Sequence, residues 1–326
     1  MNTQIRHLAI VVPSHNEADN IEPLARRLQE VASTLPSWNV QVLFVDDGST
    51  DHSIEILNRL RNQGLPVGYL RLSRNFGHQA ALEAGLHAVA GDAVITMDGD
   101  LQHPPEEIPH MLQAFEEGAD VVQMVRDQQP TGGKGLYSDL FYKVFASVAH
   151  SDIVPGAADF RLLSRRVVEV VKQIPEREKF LRALIPTLGF KQVNLVFTQA
   201  ERKSGKPSYS FRKSAKLARK AIFDFSSTPL RIVFWCGTIF ALVSFAFAVN
   251  AVVRKLVGLP GILPGYTDII ASILFLSGLI LASIGILGRY LLMILDQLRG
   301  RPSFIVVEQA RPEPLPNRIA DRNLPR

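Results

Sequence analysis

The sequence predicts an α/β domain with a mostly parallel sheet, followed by two membrane-spanning helices. Short apolar, β-branched runs alternate with helical patterns over residues 5–125. Two uncharged apolar runs, of 22 and 19 residues, lie near the C-terminus, and cationic residues flank them unequally.

The first strand is expected at 5–12, followed by a helical pattern at 20–35. A second buried strand at 40–45 precedes a helix opened by Ser49, Thr50 and Asp51. Further strands are expected at 67–71, 93–97 and 120–125, again separated by helical segments. Strands that read as continuous apolar runs between helices belong to a sheet covered on both faces. Ligands of such sheets bind at the carboxyl ends of the strands.

Residues 232–253 and 269–287 each match the roughly 20 residues needed to cross about 30 Å of hydrocarbon. The competing reading, two buried helices of a soluble domain, fits poorly with such long uncharged runs. Arg254 and Lys255 lie in the connection. Lys213, Lys216, Arg219, Lys220 and Arg231 precede the first run, and Arg289, Arg299 and Arg301 follow or end the second. This bias predicts a helical hairpin with both termini in the cytoplasm and the connecting loop outside. Residues 209–225 carry apolar positions at helical spacing opposite Lys and Arg. They read as an interfacial helix, or alternatively as a helix packed on the main domain. A second apolar stripe at 136–148 leaves the same two readings open.

The expected organisation is an α/β domain at 1–208, an interfacial helix at 209–228 and a hairpin at 229–295, with spans at about 232–253 and 269–290. A cytoplasmic tail at 296–326 is expected to be disordered after about 309, where proline and charge dominate. The initial apolar stretch is too short for a secretory signal. Cys236 is the single cysteine, which excludes a disulfide framework and a cysteine-rich zinc site. The net charge of +5 concentrates beside the apolar runs, not on an aromatic-studded groove, which disfavours nucleic acid as a partner.

Three strand ends carry acidic or amide groups: Pro13-Ser14-His15-Asn16-Glu17, Asp46-Asp47-Gly48-Ser49-Thr50-Asp51 and Asp98-Gly99-Asp100-Leu101-Gln102. Each cluster alone could cap a helix. Together their carboxylates repel, and a bound cation relieves that repulsion, since Asp-x-Asp offers hard oxygen ligands to Mg2+ or Mn2+. The cation would bridge a diphosphate. Neither G-x-x-x-x-G-K-[ST] nor G-x-G-x-x-G occurs, which disfavours a P-loop NTPase and a standard dinucleotide dehydrogenase.

VVPSHNE (11–17), VDDGSTD (45–51), LSRNFGHQAALEAGL (72–86) and MDGDLQHPPE (97–106), with ADFRL (158–162) and ERKSGK (201–206), resemble glycosyltransferase family 2. The chain is more narrowly similar to polyprenyl-phosphate glycosyltransferases, the group of bactoprenol glucosyltransferases and dolichyl-phosphate mannose synthases. The likeness runs over about residues 5–308, including the two apolar runs and RGRPSFIVVE.

The resemblance implies a GT-A fold. It implies that Pro13, Asn16 and Glu17 line the nucleotide pocket, that Asp46 recognises the base, and that Asp98 and Asp100 hold the metal at the sugar diphosphate. Gln102 would lie beside the sugar. Asp159 would be catalytic, as a base or as a positioning group. Arg202, Lys203, Ser204 and Lys206 would meet the acceptor phosphate. Relatives often carry G-x-R-x-x-R; this chain keeps Arg126 but has Met124 and Gln129 at the other positions. Arg126 is therefore an acceptor-phosphate candidate whose partner is Lys134 or an unidentified residue. His15, His78 and His103 flank motifs and receive no role, while Arg74 and Asn75 touch ligand or organise their loop.

The implied reaction is a single inverting transfer from a nucleotide diphosphate sugar to a polyprenyl phosphate, with UDP-glucose and undecaprenyl phosphate as first choices. A UDP-aminoarabinose derivative, UDP-GlcNAc or GDP-mannose are alternative donors. A processive polysaccharide synthase is disfavoured because neither Trp38 nor Trp235 follows Gln-x-x-Arg. A silent scaffold that binds nucleotide sugar would be expected to have lost Asp98, Asp100 or Asp159, and all three are present. A homo-oligomer is compatible with the sequence without being indicated by it.

Overall fold

The computed structural model describes residues 5–127, 154, 156–176, 179–198 and 266–312, with isolated positions from 230 to 257. Arg202, Lys203, Ser204, Lys206, Lys134, the 209–228 helix, the 136–148 stripe and most of the first apolar run lie outside the described residues. The chain forms two compact units, one built on a sheet and one containing a long helix.

The sheet begins as sequence expects. β1 (Arg6–Ser14), β2 (Trp38–Asp46), β3 (Val67–Leu72) and β4 (Ala93–Thr96) are parallel neighbours. β5 (Val121–Arg126), β6 (Ala157–Ser164), β7 (Gln192–Phe197) and β8 (Val306–Ala310) complete the spatial order β7-β5-β6-β4-β1-β2-β3-β8. β6 runs antiparallel to β4 and β5, and β8 antiparallel to β3, so the sheet is mixed but mostly parallel. This is the GT-A-like arrangement that the resemblance implied.

Helices cover both faces. Leu8, Ile10 and Val12 of β1 join Ile21, Leu24 and Leu28 of α1 (Ala18–Ser33) on one side, with Leu57 and Leu60 of α2 (Ser53–Asn62) and Met111 of α4 (Ile108–Glu116). Ala9 and Val11 face the other side, toward α3 (His78–Ala88) and toward Val167, Val168 and Val171 of α5 (Arg165–Gln173). The period of two sends alternate side chains into separate cores, so a parallel strand must be apolar throughout. α6 (Leu181–Thr187) packs on this second side.

In the other unit, α7 (Tyr266–Leu298) is 33 residues long, roughly 50 Å at 1.5 Å per residue. Its segment Leu276–Leu298 has a mean hydropathy of 2.0 and no buried share. Among the described residues it is the one helix long and apolar enough to cross a bilayer. Ser283 Oγ donates to Leu279 O at 2.8 Å, satisfying a hydroxyl within the helix. The helix extends past both ends of the expected 269–290 span.

Candidate active site

The chain leaves β1 for β2 on one side and later returns to β4 on the other. This reversal of strand order opens a crevice at the carboxyl ends of β1 and β4. Pro13 stands in β1 opposite Val45. Asn16 follows with a left-handed φ of 55°, which a short polar side chain tolerates. Its N–H donates to Ser49 Oγ at 2.9 Å, and its Oδ1 accepts from the Thr50 N–H at 2.9 Å. Asn16 thus ties the first loop to the second. Glu17 stands before α1 and accepts from Asn20 Nδ2.

The carboxylates after β2 are bound into the fold. Asp46 is fully buried, accepts from the Ser49 N–H at 3.2 Å, and lies 3.5 Å from Arg71 Nε. Burial raises its pKa, against Ser49 and Arg71. Asp47 accepts from the Phe76 and Gly77 N–H groups at 2.7 and 2.9 Å, fixing the entry to α3. Asp51 accepts from Ala18 N at 3.1 Å and Ser53 Oγ at 2.6 Å. Burial would raise its pKa, but these donors hold the carboxyl below its ordinary value. Gly48 has φ +67°, and a Cβ there would stand 2.5 Å from the Arg74 backbone, so the two loops meet only because it is glycine.

The loop after β4 is different. The Asp98 N–H donates to His103 Nδ1 at 2.9 Å, Gln102 N donates to Asp100 Oδ1 at 3.1 Å, and Leu101 between them has φ 63°. A left-handed leucine costs about 1–2 kcal/mol, a strain typical of functional loops. His103 is fully buried, stacked on Phe160 with ring centroids 5.2 Å apart. Burial lowers its pKa to about 4, so the ring is neutral. Its Nδ1 accepts, which leaves the proton on Nε2, 3.5 Å from Asp98 Oδ2.

Asp159 is the hub of the far wall. Arg161 Nη2 pairs with its Oδ1, Arg182 Nη2 lies 2.8 Å from Oδ2, and His78 Nε2 lies 3.4 Å from Oδ2. The same His78 nitrogen is 3.4 Å from Asp98 Oδ1, so it bridges the two carboxylates. Burial would raise the Asp159 pKa, but His78, Arg161 and Arg182 together hold it far below the usual carboxylate range. Asp98 moves the other way: burial raises it, against His78, Arg182 and Arg126. Burial also disfavours a charged His78, yet Asp159 and Asp98 outweigh it and raise its pKa.

Seven buried side-chain atoms among the described residues lack a hydrogen-bond partner, and six are here: Asp98 Oδ1, His103 Nε2, Arg126 Nε, Arg161 Nε and Nη1, and Arg182 Nε. Native folds rarely leave such atoms unpaired, and a cluster of them marks a place for a ligand, ion or water. No three acidic, histidine or cysteine groups among the described residues are arranged to hold a metal ion by themselves. Asp98 and Asp100 nevertheless suit Mg2+ or Mn2+, which bind through one or two carboxylates and complete their shell with phosphate and water. The orphaned Asp98 Oδ1 fits that role.

The structure therefore brings Pro13, Asn16, Glu17, Asp46, Asp98, Asp100, Gln102, Arg126 and Asp159 to one end of the sheet. Gln102 is 8 % exposed. Arg74 stacks over Phe76 at 4.1 Å and donates to Asn75 O, so these residues organise their loop. Ser164 caps α5, its Oγ accepting from Val167 N at 3.5 Å. Three participants escaped the sequence reading. Arg161 was legible in principle, two residues from Asp159 on the same strand face. His78 opens α3 just after the loop that follows β3, close to where ligands are expected. Arg182 carries no local signal.

The sequence matches the Glycosyl transferase family 2 profile over residues 9–171. An uncharacterised glycosyltransferase of Synechocystis sp. is 36 % identical over 301 residues, covering 92 % of this chain and 94 % of its own length. The SfII prophage-derived bactoprenol glucosyl transferase of Shigella flexneri is 36 % identical over 310 residues, 94 % of this chain and 99 % of its own. Among solved structures, a mannosyltransferase of Pyrobaculum calidifontis in complex with GDP-Man and Mn2+ aligns with a TM-score of 0.48 at 17 % identity, covering 90 % of this chain and 85 % of that one.

Proposed function

Since the chain belongs to glycosyl transferase family 2, we propose that this glycosyltransferase moves a sugar from a nucleotide diphosphate sugar to a polyprenyl phosphate, with inversion. The observation that carries the site is the concentration of unpartnered buried polar atoms around Asp98. UDP-glucose and undecaprenyl phosphate are the preferred substrates, by the likeness to bactoprenol glucosyl transferases. The membrane reading is supported by the apolar segment Leu276–Leu298 and by the basic residues that flank both runs. In that reading both runs span a bacterial inner membrane, and the sheet domain and both termini are cytoplasmic.

A lipid phosphate monoester, with a second pKa of about 6, is mostly ionised near neutrality. It needs no strong base. Its oxygen attacks the anomeric carbon while the bond to the diphosphate breaks. Asp98 and Asp100 would hold Mg2+ or Mn2+, which when bound neutralises charge on the leaving diphosphate. Asp159 has its oxygens engaged by Arg161, Arg182 and His78 and is a poor proton acceptor. Its role is to hold Arg182 and His78 in place. Pro13, Asn16, Glu17 and Asp46 line the nucleotide end, and Gln102 lies by the sugar. Arg126 is assigned to the acceptor phosphate, a role that the family motifs also give to Arg202, Lys203, Ser204 and Lys206.

The test incubates the full chain in lipid nanodiscs with undecaprenyl phosphate, Mg2+ or Mn2+, and a panel of radiolabelled nucleotide sugars. A lipid-linked product from UDP-glucose is expected. No lipid-linked product from any donor overturns the proposal.

A further inference from the structure

We infer that Glu308 is a positioning residue for donor binding: through Arg71 it sets the carboxylate of Asp46, so β8 forms part of the nucleotide pocket. The inference rests on the reading of Asp46 as the base-recognising group.

β8 follows the long apolar helix in sequence, yet it is the edge strand of the catalytic sheet. It lies antiparallel to β3, with Tyr69 opposite Ala310, Leu70 opposite Gln309 and Arg71 opposite Glu308. The Ser73 N–H donates to Ile305 O at 2.9 Å just before it. Phe304 packs against the core on the α3 side, its ring centroid 6.1 Å from that of His87. β3 is shaped for this neighbour. A Cβ on Gly68 would stand 2.4 Å from the Pro312 nitrogen and 2.5 Å from Ala310 O. Real Cβ atoms do not approach backbone so closely, so residue 68 has to lack one for the strand to dock.

Register then places the charges. Directly opposite residues on paired strands bring their side chains together. Glu308 Oε1 accepts from the Tyr69 hydroxyl, which fixes the carboxylate. Its Oε2 lies 3.8 Å from Arg71 Nη1, and Arg71 Nε lies 3.5 Å from Asp46 Oδ2. Arg71 is thus held between a carboxylate from the C-terminal strand and the buried one from β2. Its side chain is 40 % exposed. Without Glu308 it is free to turn to solvent, and Asp46 loses its facing cation. Burial already favours the neutral form of Asp46. A protonated or rotated Asp46 is a poorer acceptor for an N–H on the edge of a base. Because the Arg71–Glu308 pair is nearly half exposed, its effect is modest.

The test uses full-length protein in nanodiscs with Mn2+, titrated calorimetrically with UDP and with GDP, the tighter of the two being followed, and with inorganic pyrophosphate. Glu308→Gln keeps an acceptor for Tyr69 and removes the charge at Arg71. It is expected to weaken nucleotide binding about fivefold, leave pyrophosphate binding unchanged, and raise donor KM with kcat preserved. In an Asp46→Asn background the same substitution is expected to add nothing, because the coupled pair is already broken. Unchanged nucleotide affinity in Glu308→Gln, with weakened affinity in Asp46→Asn, overturns the relay and leaves the pocket standing. Equal loss of nucleotide and pyrophosphate binding overturns it in favour of a general structural role. Wild-type nucleotide affinity in Asp46→Asn removes the base-recognition reading and the relay with it.

Discussion

The loops after β2 and β4 carry nearly the same chemistry, Asp-Asp-Gly and Asp-Gly-Asp, and end in opposite states. After β2, Asp46 accepts from the Ser49 N–H of its own loop, and Asp47 and Asp51 accept from backbone N–H groups of neighbouring segments. Those carboxylates are architecture as much as site, whatever Asp46 also does for a base. After β4, Asp98 Oδ1 is sealed from solvent without a hydrogen bond, and its near cation, His78 at 3.4 Å, is shared with Asp159. A carboxylate already satisfied by the protein holds loops together, whereas one left wanting charge or donors is kept for a ligand.

Asp98→Asn probes that contrast most strongly. It is expected to lower transfer about a thousandfold, since a metal contributes several kcal/mol at the leaving group. It should change the thermal midpoint little, because the gain from removing a charge that burial disfavours is offset by loss of the pair with His78. Scanning calorimetry beside the transfer assay reads both. A midpoint loss as large as that of Asp47→Ala would erase the distinction between the two loops.

Asp159→Asn comes next. Arg161 and Arg182 would remain buried short of one negative charge, so unfolding in urea should show a loss of about 3 kcal/mol. The pH dependence has a definite sign. The folded pKa is depressed below the ordinary 3.8, so the stabilisation is fully present above that value and is lost as pH falls through the folded pKa. Stability of the Asn variant should therefore fall less steeply with acid than that of wild type below about pH 4. Equal slopes would show that Asp159 is not held by its arginines.

Asp47→Ala has the smallest expected effect of the three, about 1 kcal/mol, from leaving the half-buried Phe76 and Gly77 N–H groups without their acceptor. Activity should fall only as the folded fraction falls. Chemical denaturation followed by circular dichroism measures the first, and the transfer assay on refolded protein the second. A large kcat loss at full folding would move Asp47 into the reacting centre.

Legibility divides along the same line. β1 to β5 lie within about two residues of their expected positions, because strands buried on both faces must be continuously apolar. β6 was visible only as the motif ADFRL. Its Asp159 and Arg161 are polar inside a buried strand and make sense only beside each other and Arg182. β8 was not read as a strand, since its β-branched run Ile305-Val306-Val307 is short before the polar Glu308 and Gln309, and its neighbour β3 is more than 200 residues away in sequence. Family motifs placed Asp98, Asp100 and Asp159 at the site without indicating their surroundings. His78, read as a bystander, stands between two of them.

The order and composition of the motifs were enough to establish the family, the reaction class, the parallel half of the sheet and a helix with the length of a membrane span. The family and reaction class follow from the motifs' resemblance to known relatives, and the sheet and helix from local periodicity and residue chemistry. Which aspartates are satisfied, which histidine bridges them, and how the C-terminal strand reaches Arg71 were decided only by the tertiary structure. Hydrogen-bond satisfaction and burial depend on neighbours brought from distant parts of the chain, so no local reading of Asp-Asp-Gly and Asp-Gly-Asp can tell the two loops apart.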